Sequence, residues 1–293
     1  MEYLGTKRKF WFREGDRRLL FKAEERDTGE DWAEKVACQL CEILGLPHVH
    51  YELAEECEGE RYIQPGVVCE TCSPPPTSLI LGNQLLMALD PAYPAHESRK
   101  YKVREHTVDA VADIVRRLAP PSETWMSGIP PDVDTALDVF VGYVMLDAWI
   151  ANQDRHHENW GALLEDQLRL APTFDHGASL ARNLLDTERK ERLETRDRNR
   201  TVTHFARRAR SAFYSKGDAP QSMGAADVFF AFARLSPQAA LSWIGQLAIV
   251  DRDAIWQVLN EVPNKRMSNI TKKFTVELLL ENQRRLLEGI SEL

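Results

Sequence analysis

The sequence lacks a long apolar run: nothing in it approaches the roughly 18 apolar residues of a membrane helix, and its first ten residues, MEYLGTKRKF, have no apolar core of the kind a secretory signal carries. Both absences point to a cytoplasmic chain with no membrane span. A basic surplus is missing too. The formal net charge of −8 argues against broad nucleic-acid or anionic-membrane binding and leaves only local basic patches free to act. There is no repeat of fixed period and no Gly-x-Gly-x-x-Gly phosphate loop. Cysteines number five, and an odd count rules out a complete intramolecular disulfide framework. Four of them form two Cys-x-x-Cys pairs, Cys38/Cys41 and Cys69/Cys72, superficially a four-thiolate zinc pattern. The 27 residues between the pairs exceed the usual spacing, and the first pair sits in the middle of a helical pattern, so packed thiols are the expectation.

What is present is a soluble composition, 43% hydrophobic and 28% charged over 293 residues, enough for one large domain or two lobes. KFWFREGDRRLLFKAE alternates apolar and charged residues about Glu14-Gly15-Asp16, which predicts a hairpin over 9–24. TGEDWAEKVACQLCEILGLP puts Trp32, Val36, Leu40, Ile43 and Leu44 on one stripe between Thr28 and Gly45, which predicts a helix. HVHYELAE and ERYIQPGVV predict two more strands about a turn at Gly59. A proline-rich stretch to about residue 108 follows, with one short helix predicted at LGNQLLMAL. Beyond it the pattern turns helical in TVDAVADIVRRLA and DTALDVFVGYVMLDAWIA, with a hairpin at GALLEDQLRLAPTF and more helices from about 203 to the end. The expected fold class is α+β and bilobal, with an N-lobe at 1–72 of sheet plus one helix, a connection at 73–108, and an α-helical C-lobe at 109–293.

Residues 150–177, IANQDRHHENWGALLEDQLRLAPTFDHG, gather five acids, three histidines and two asparagines behind an apolar helix. Asp154 and Asn159 stand five positions apart, as do the catalytic Asp and metal-binding Asn of a protein-kinase loop, and Asp175-His176-Gly177 beyond the hairpin matches the Asp-x-Gly of a second magnesium ligand. Phosphoryl transfer needs Mg²⁺ on hard oxygens, here Asn159 and Asp175, and a carboxylate at the acceptor hydroxyl, here Asp154. It also needs a cation on the nucleotide phosphates with an acidic anchor, and Lys22 at the end of the second strand and Glu34 in the next helix are suitably placed. Taken singly, each has an ordinary structural reading: a solvated edge lysine, a dipole-facing Glu, a helix-end or turn carboxylate. His156, His157 and His176 are close in sequence, but adjacent residues of an extended loop point to opposite sides, so a shared metal is not expected and His157 is taken as exposed.

In NQDRHHENWGAL, APTFDHGASL, LLFK and WAEKVACQLCEILGLPHVHYEL the chain resembles the HipA-like kinases, a bacterial branch of the protein-kinase-like fold distantly related to phosphoinositide kinases, over residues 5 to 290. The resemblance implies an ATP- and Mg²⁺-dependent Ser/Thr protein kinase acting on a protein substrate. Its catalytic base would be Asp154, its Mg²⁺ ligands Asn159 and Asp175, and its phosphate anchor Lys22 with partner Glu34. His156 would be structural. Gly5, Thr6 and Lys7 fall where the family has a short phosphate-binding loop, which makes autophosphorylation at Thr6 an expectation beside that of a flexible terminus. Adenine is expected against Val68, Cys69, Glu70 and Thr71, from their place after the last N-lobe strand. Typical HipA toxins carry a further N-terminal subdomain for which this chain is too short, so the resemblance leaves both a toxin role and an antitoxin partner open. A lipid or small-molecule kinase, or a nucleotide-binding module without turnover, are the alternative functions. The arginines in TERKERLETRDRNRTVTHFARRARSAFY either receive an acidic or phosphorylated partner or form a solvated face.

Overall fold

A computed structural model describes residues 8–24, 28–96 and 102–290. Gly5, Thr6 and Lys7 lie outside the described residues. The chain opens with the expected hairpin, β1 (Lys9–Glu14) and β2 (Arg17–Ala23), closed by Gly15 in left-handed geometry at φ 59°. β3 (Tyr51–Glu58) and β4 (Arg61–Glu70) complete an antiparallel sheet of order β1-β2-β4-β3. The predicted β3 starts three residues early. His48 to His50 are withheld from the sheet because the segment bridges the C-terminal half instead: Val49 N–H donates to Thr173 O at 2.9 Å.

Alternation along the strands gives the sheet two faces. Register puts Lys22, Val67 and Leu53 on one face and Phe21, Val68 and Glu52 on the other. Helix α1 (Glu30–Leu44) covers the first, where Cys38, Val49, Tyr51, Val67 and Cys69 form a small core. Its opposite side, carrying Trp32, Val36, Leu40, Cys41 and Leu44, enters the main core. Glycine ends this helix as expected: Gly45 is left-handed, and its N–H donates to the carbonyls of Cys41 and Glu42.

The connecting stretch is more structured than its prolines suggest. Residues 78–81 form β5 (Ser78–Leu81), which pairs with β6 (Gly161–Leu164), and β6 with β7 (Leu168–Leu170), in a second antiparallel sheet. Helix α2 (Gly82–Leu89) follows as predicted, then α3 (Val108–Val115) and α4 (Ala136–Trp149). The sequence places an apolar stripe on α4, yet 13 of its 14 residues are buried, because α7 and α8 pack around it. Beyond lie α5 (Asp186–Glu194), α6 (Val202–Arg207), α7 (Ala225–Leu235), α8 (Pro237–Ala248), α9 (Arg252–Glu261) and α10 (Asn269–Ile290). Phe274, Leu278, Leu279 and Leu286 of α10 are buried, as their spacing predicts. The architecture is a small sheet with one helix followed by a largely helical half, the expected bilobal α+β class. No helix among the described residues is long and apolar enough to cross a membrane.

Candidate active site

Lys22 sits next to the last residue of β2 and Glu34 in the second turn of α1, which lies across that face of the sheet. The ammonium therefore meets the carboxylate: Lys22 Nζ is 3.1 Å from Glu34 Oε1. It is also 3.0 Å from Asp175 Oδ1, and it donates to Tyr51 Oη at 3.2 Å. Glu34's other oxygen accepts the His176 N–H at 2.8 Å. Gly177 lies against the first turns of α1, where a Cβ would be 3.4 Å from Glu34 Cγ. The Asp-x-Gly segment thus docks beneath the helix, and Asp175 takes the left-handed conformation (φ 60°), uncommon outside glycine.

One cation between two carboxylates leaves one negative charge in excess, and burial decides where it sits. The Glu34 side chain is 3% exposed and that of Asp175 47%. Burial pushes the Glu34 carboxyl up to about 7, against the pull of Lys22. Lys22 holds Asp175 well below the usual carboxylate range. Burial alone would lower Lys22, but Asp175 and Glu34 outweigh it and keep the ammonium charged.

The Asp154 loop hangs on a buried ion pair. Arg155, 1% exposed, forks onto Asp147 of α4 with two bonds of 2.8 Å, and its Nη1 donates to Asn159 O at 2.7 Å. Asn152 Nδ2 adds a bond to Asp147 Oδ1 at 2.8 Å and, through its Oδ1, accepts the Asp154 N–H at 3.1 Å. Within the loop, Asn159 Nδ2 and His156 N–H both donate to Asp154 O at 2.7 Å. This leaves the Asp154 carboxylate 41% exposed at the cleft, with His156 Nε2 3.8 Å from its Oδ1.

The cleft between the halves encloses about 230 Å³ and is lined by Arg8, Lys9, Lys22, Asp154, Asp175 and Arg182 among others. From β4 it takes Val67; Val68 and Glu70 lie on the opposite sheet face, in a groove with Phe10, Phe12 and Phe21. Cys69 packs toward α1, and Thr71 N–H donates to Arg18 O at 3.2 Å. Lys22, Glu34, Asp154 and Asp175 are brought to one place. Asn159, 5% exposed, backs the loop without lining the cleft.

His157 corrects the sequence reading. It is fully buried, its Nδ1 2.8 Å from Tyr93 Oη, in an aromatic pocket with His106 and Trp160. His176 Nε2 pairs with Thr173 Oγ1 at 2.8 Å, and burial keeps the ring neutral. The sequence reading also overlooked Arg155, Asp147 and Tyr51. A signal existed for Asp147, an acid inside the apolar run YVMLDAWIA, where an unpaired charge would be costly.

Thirty-two chains of known structure match this fold. The Helicobacter pylori proinflammatory kinase CtkA superposes with a TM-score of 0.73 at 18% identity, covering 99% of this chain and 92% of its own. The Shewanella oneidensis MR-1 toxin HipA, solved with HipB and operator DNA, gives 0.61 at 11% identity, covering 100% of this chain and 67% of its own. The chain therefore shares the bilobal fold of these two proteins. No sequence-family description matches it, and no curated protein does either.

Proposed function

We propose that this chain is an ATP- and Mg²⁺-dependent kinase that phosphorylates Ser/Thr hydroxyls of a protein substrate, with the lobes at 1–72 and 109–293 joined through 73–108. The observation that carries the reading is Lys22 held between Glu34 and Asp175 across a cleft that also receives Asp154. Fold alone would not suffice, since one fold hosts many functions; the site chemistry and the description of CtkA as a kinase favour the same reading.

The donor set suits Mg²⁺. Asp175 offers a half-exposed carboxylate to the cleft, and Asn159, behind the loop with its Nδ2 committed to Asp154 O, would complete the set through its side-chain carbonyl oxygen on turning toward the cleft. When bound, Mg²⁺ neutralises phosphate charge and lowers the barrier to phosphoryl transfer. The chain's own residues do the rest. Lys22 neutralises nucleotide phosphate, with Glu34 fixing its position. Arg8, Lys9 and Arg182 also stand in the cleft walls, Arg8 paired with Glu56 and Arg182 with Glu30. Asp154 orients the acceptor hydroxyl and takes its proton as the oxygen attacks the γ-phosphorus. A second cavity of about 370 Å³, beginning at Gln153 beside Asp154 and bordered by Arg192, Arg200 and His204, gives a protein acceptor a place to lie.

The test is transfer from γ-labelled ATP with Mg²⁺ to the chain itself and to generic protein acceptors, followed by phosphosite mapping. The wild type should label Ser/Thr, with Asp154→Asn and Asp175→Asn reduced at least about 100-fold. Labelling equal in all three proteins would overturn the assignment. Label found only on lipid or small-molecule acceptors would overturn the protein-kinase reading.

A further inference from the structure

The helix that carries Glu34 carries a second constellation one turn further on. Cys38 and Glu42 share a face of α1 at i, i+4 spacing, and beyond the Gly45 turn His48 and His50 follow at i, i+2 in extended chain, on a common side. Cys38 Sγ lies 3.6 Å from His50 Nδ1 and 3.9 Å from Glu42 Oε1. Glu42 Oε1 lies 3.3 Å from His50 Nδ1 and 3.9 Å from His48 Nε2. One donor atom from each of the four falls within 4.8 Å of the other three. Tetrahedral zinc, with bonds of about 2.0–2.3 Å, sets its ligand atoms about 3.3–3.6 Å apart. Glu42 and His50, whose side chains are about half exposed, are free to make the small closing movement.

The surroundings match a metal site in a second, independent way. A ligating histidine normally gives its other ring nitrogen to an oxygen acceptor, which fixes the tautomer and aims the lone pair. Both histidines do so here: His48 Nδ1 is 2.7 Å from Leu46 O, and His50 Nε2 is 2.8 Å from Glu52 Oε1, itself bound by Lys35 Nζ at 2.9 Å. Sγ of Cys38 already accepts the Tyr51 N–H at 3.3 Å, the kind of bond that supports a thiolate.

We propose that Cys38, Glu42, His48 and His50 bind one zinc-class divalent ion. Sulfur and imidazole donors select such an ion over Mg²⁺ or Ca²⁺, so this site is chemically separate from the all-oxygen set at Asp175. Burial pushes the Cys38 thiol up to about 12, so the thiol is neutral without metal; as the sulfur–metal bond forms, the proton leaves to solvent, one per ion bound. The ion ties the C-terminal half of α1 to the segment whose Val49 is hydrogen-bonded to Thr173, two residues before Asp175. It thereby clamps the helix of Glu34 to the strand entry of the Asp-x-Gly loop.

The full chain, purified without chelator and dialysed, should retain about one zinc per chain by elemental analysis, and its melting temperature should fall on chelation and recover with Zn²⁺. Titration of the stripped protein with Co²⁺ should raise a thiolate-to-cobalt charge-transfer band. Cys38→Ser should abolish the band, and His50→Ala, at a side chain more than half exposed, should weaken zinc binding at least about tenfold. Cys57→Ser, an exposed thiol outside the cluster, should keep both signals. Absence of retained zinc and of a cobalt–thiolate band in the wild type would overturn the proposal, as would undiminished binding in His50→Ala.

Discussion

Lys22 and Asp175, 153 residues apart in the chain, form an ion pair of 3.0 Å that closes one half of the molecule onto the other. The same ammonium holds Glu34, so three charges settle the geometry of the cleft without a ligand. Replacing Lys22 by Met removes the only counter-charge within 4 Å, among the described residues, of a carboxylate that is almost fully buried. The expected cost is at the lower end of about 3–5 kcal/mol, since Lys22 is itself partly exposed. Adding Glu34→Gln should restore most of that stability while phosphoryl transfer stays at least about 100-fold down. Chemical denaturation alongside kinetics checks both, and a double variant that regains activity would remove Lys22 from the mechanism.

The Glu34 carboxyl, pushed to about 7 by burial, supplies a pH signature. Its ionised form holds Lys22 in place, and its protonated form gives up that charge. In the free protein kcat/KM for ATP should therefore rise with pH through about 7 and level off above it. Glu34→Gln, resembling the protonated state, should be slow and lack that limb. A wild-type profile flat between about pH 6 and 8 would contradict the assignment.

How far the sequence carries the structure depends on whether the physics is local. The β1–β2 hairpin, α1 with its glycine stop and the stripe on α10 are set by alternation, helical period and turn chemistry, and these patterns appear in the fold. Lys22, Glu34, Asp154 and Asp175 could be singled out together because the proposed phosphoryl transfer would fix residue types and order. The structure gathers them. β5 was not legible, since its partner β6 lies some 80 residues on and a short strand after three prolines has no local signature. Nor was the burial of His157, which depends on Tyr93 arriving from 64 residues away. The Cys-x-x-Cys spacing misdirected attention: Cys41 faces the main core, and Cys38 joins histidines that follow the helix.

The pair Asp147–Arg155 tests whether the loop is held from behind. Neither residue reaches the cleft, yet Arg155 bonds the Asn159 carbonyl and Asp147 anchors Asn152, which in turn fixes the Asp154 amide. Arg155→Met leaves Asp147 buried without its partner and should cost about 3–5 kcal/mol. At a temperature where the variant stays folded, kcat should still fall about tenfold or more with KM for ATP little changed, because Asp154 rather than nucleotide contact is misplaced. A variant that loses stability while retaining kcat would confine Arg155 to a packing role.

Gly45 ends α1 between the Cys38–Glu42 face and His48, and two glycines separate the costs of replacing it. Its φ of 71° is left-handed, which costs an alanine about 1–2 kcal/mol. A Cβ there would also run into the carbonyl oxygen of Gly128, a backbone atom rather than the end of a flexible side chain. Gly15, in the β1–β2 turn at φ 59°, has the same handedness but open space around it. Gly15→Ala should therefore show the conformational cost alone. Gly45→Ala should show that cost plus the overlap, and should shift the α1 end that carries Glu42. The urea midpoint of Gly45→Ala should fall well below that of Gly15→Ala, with the slope of the transition unchanged. Equal midpoints would mean that Gly128 yields freely and that the end of α1 is not pinned against it.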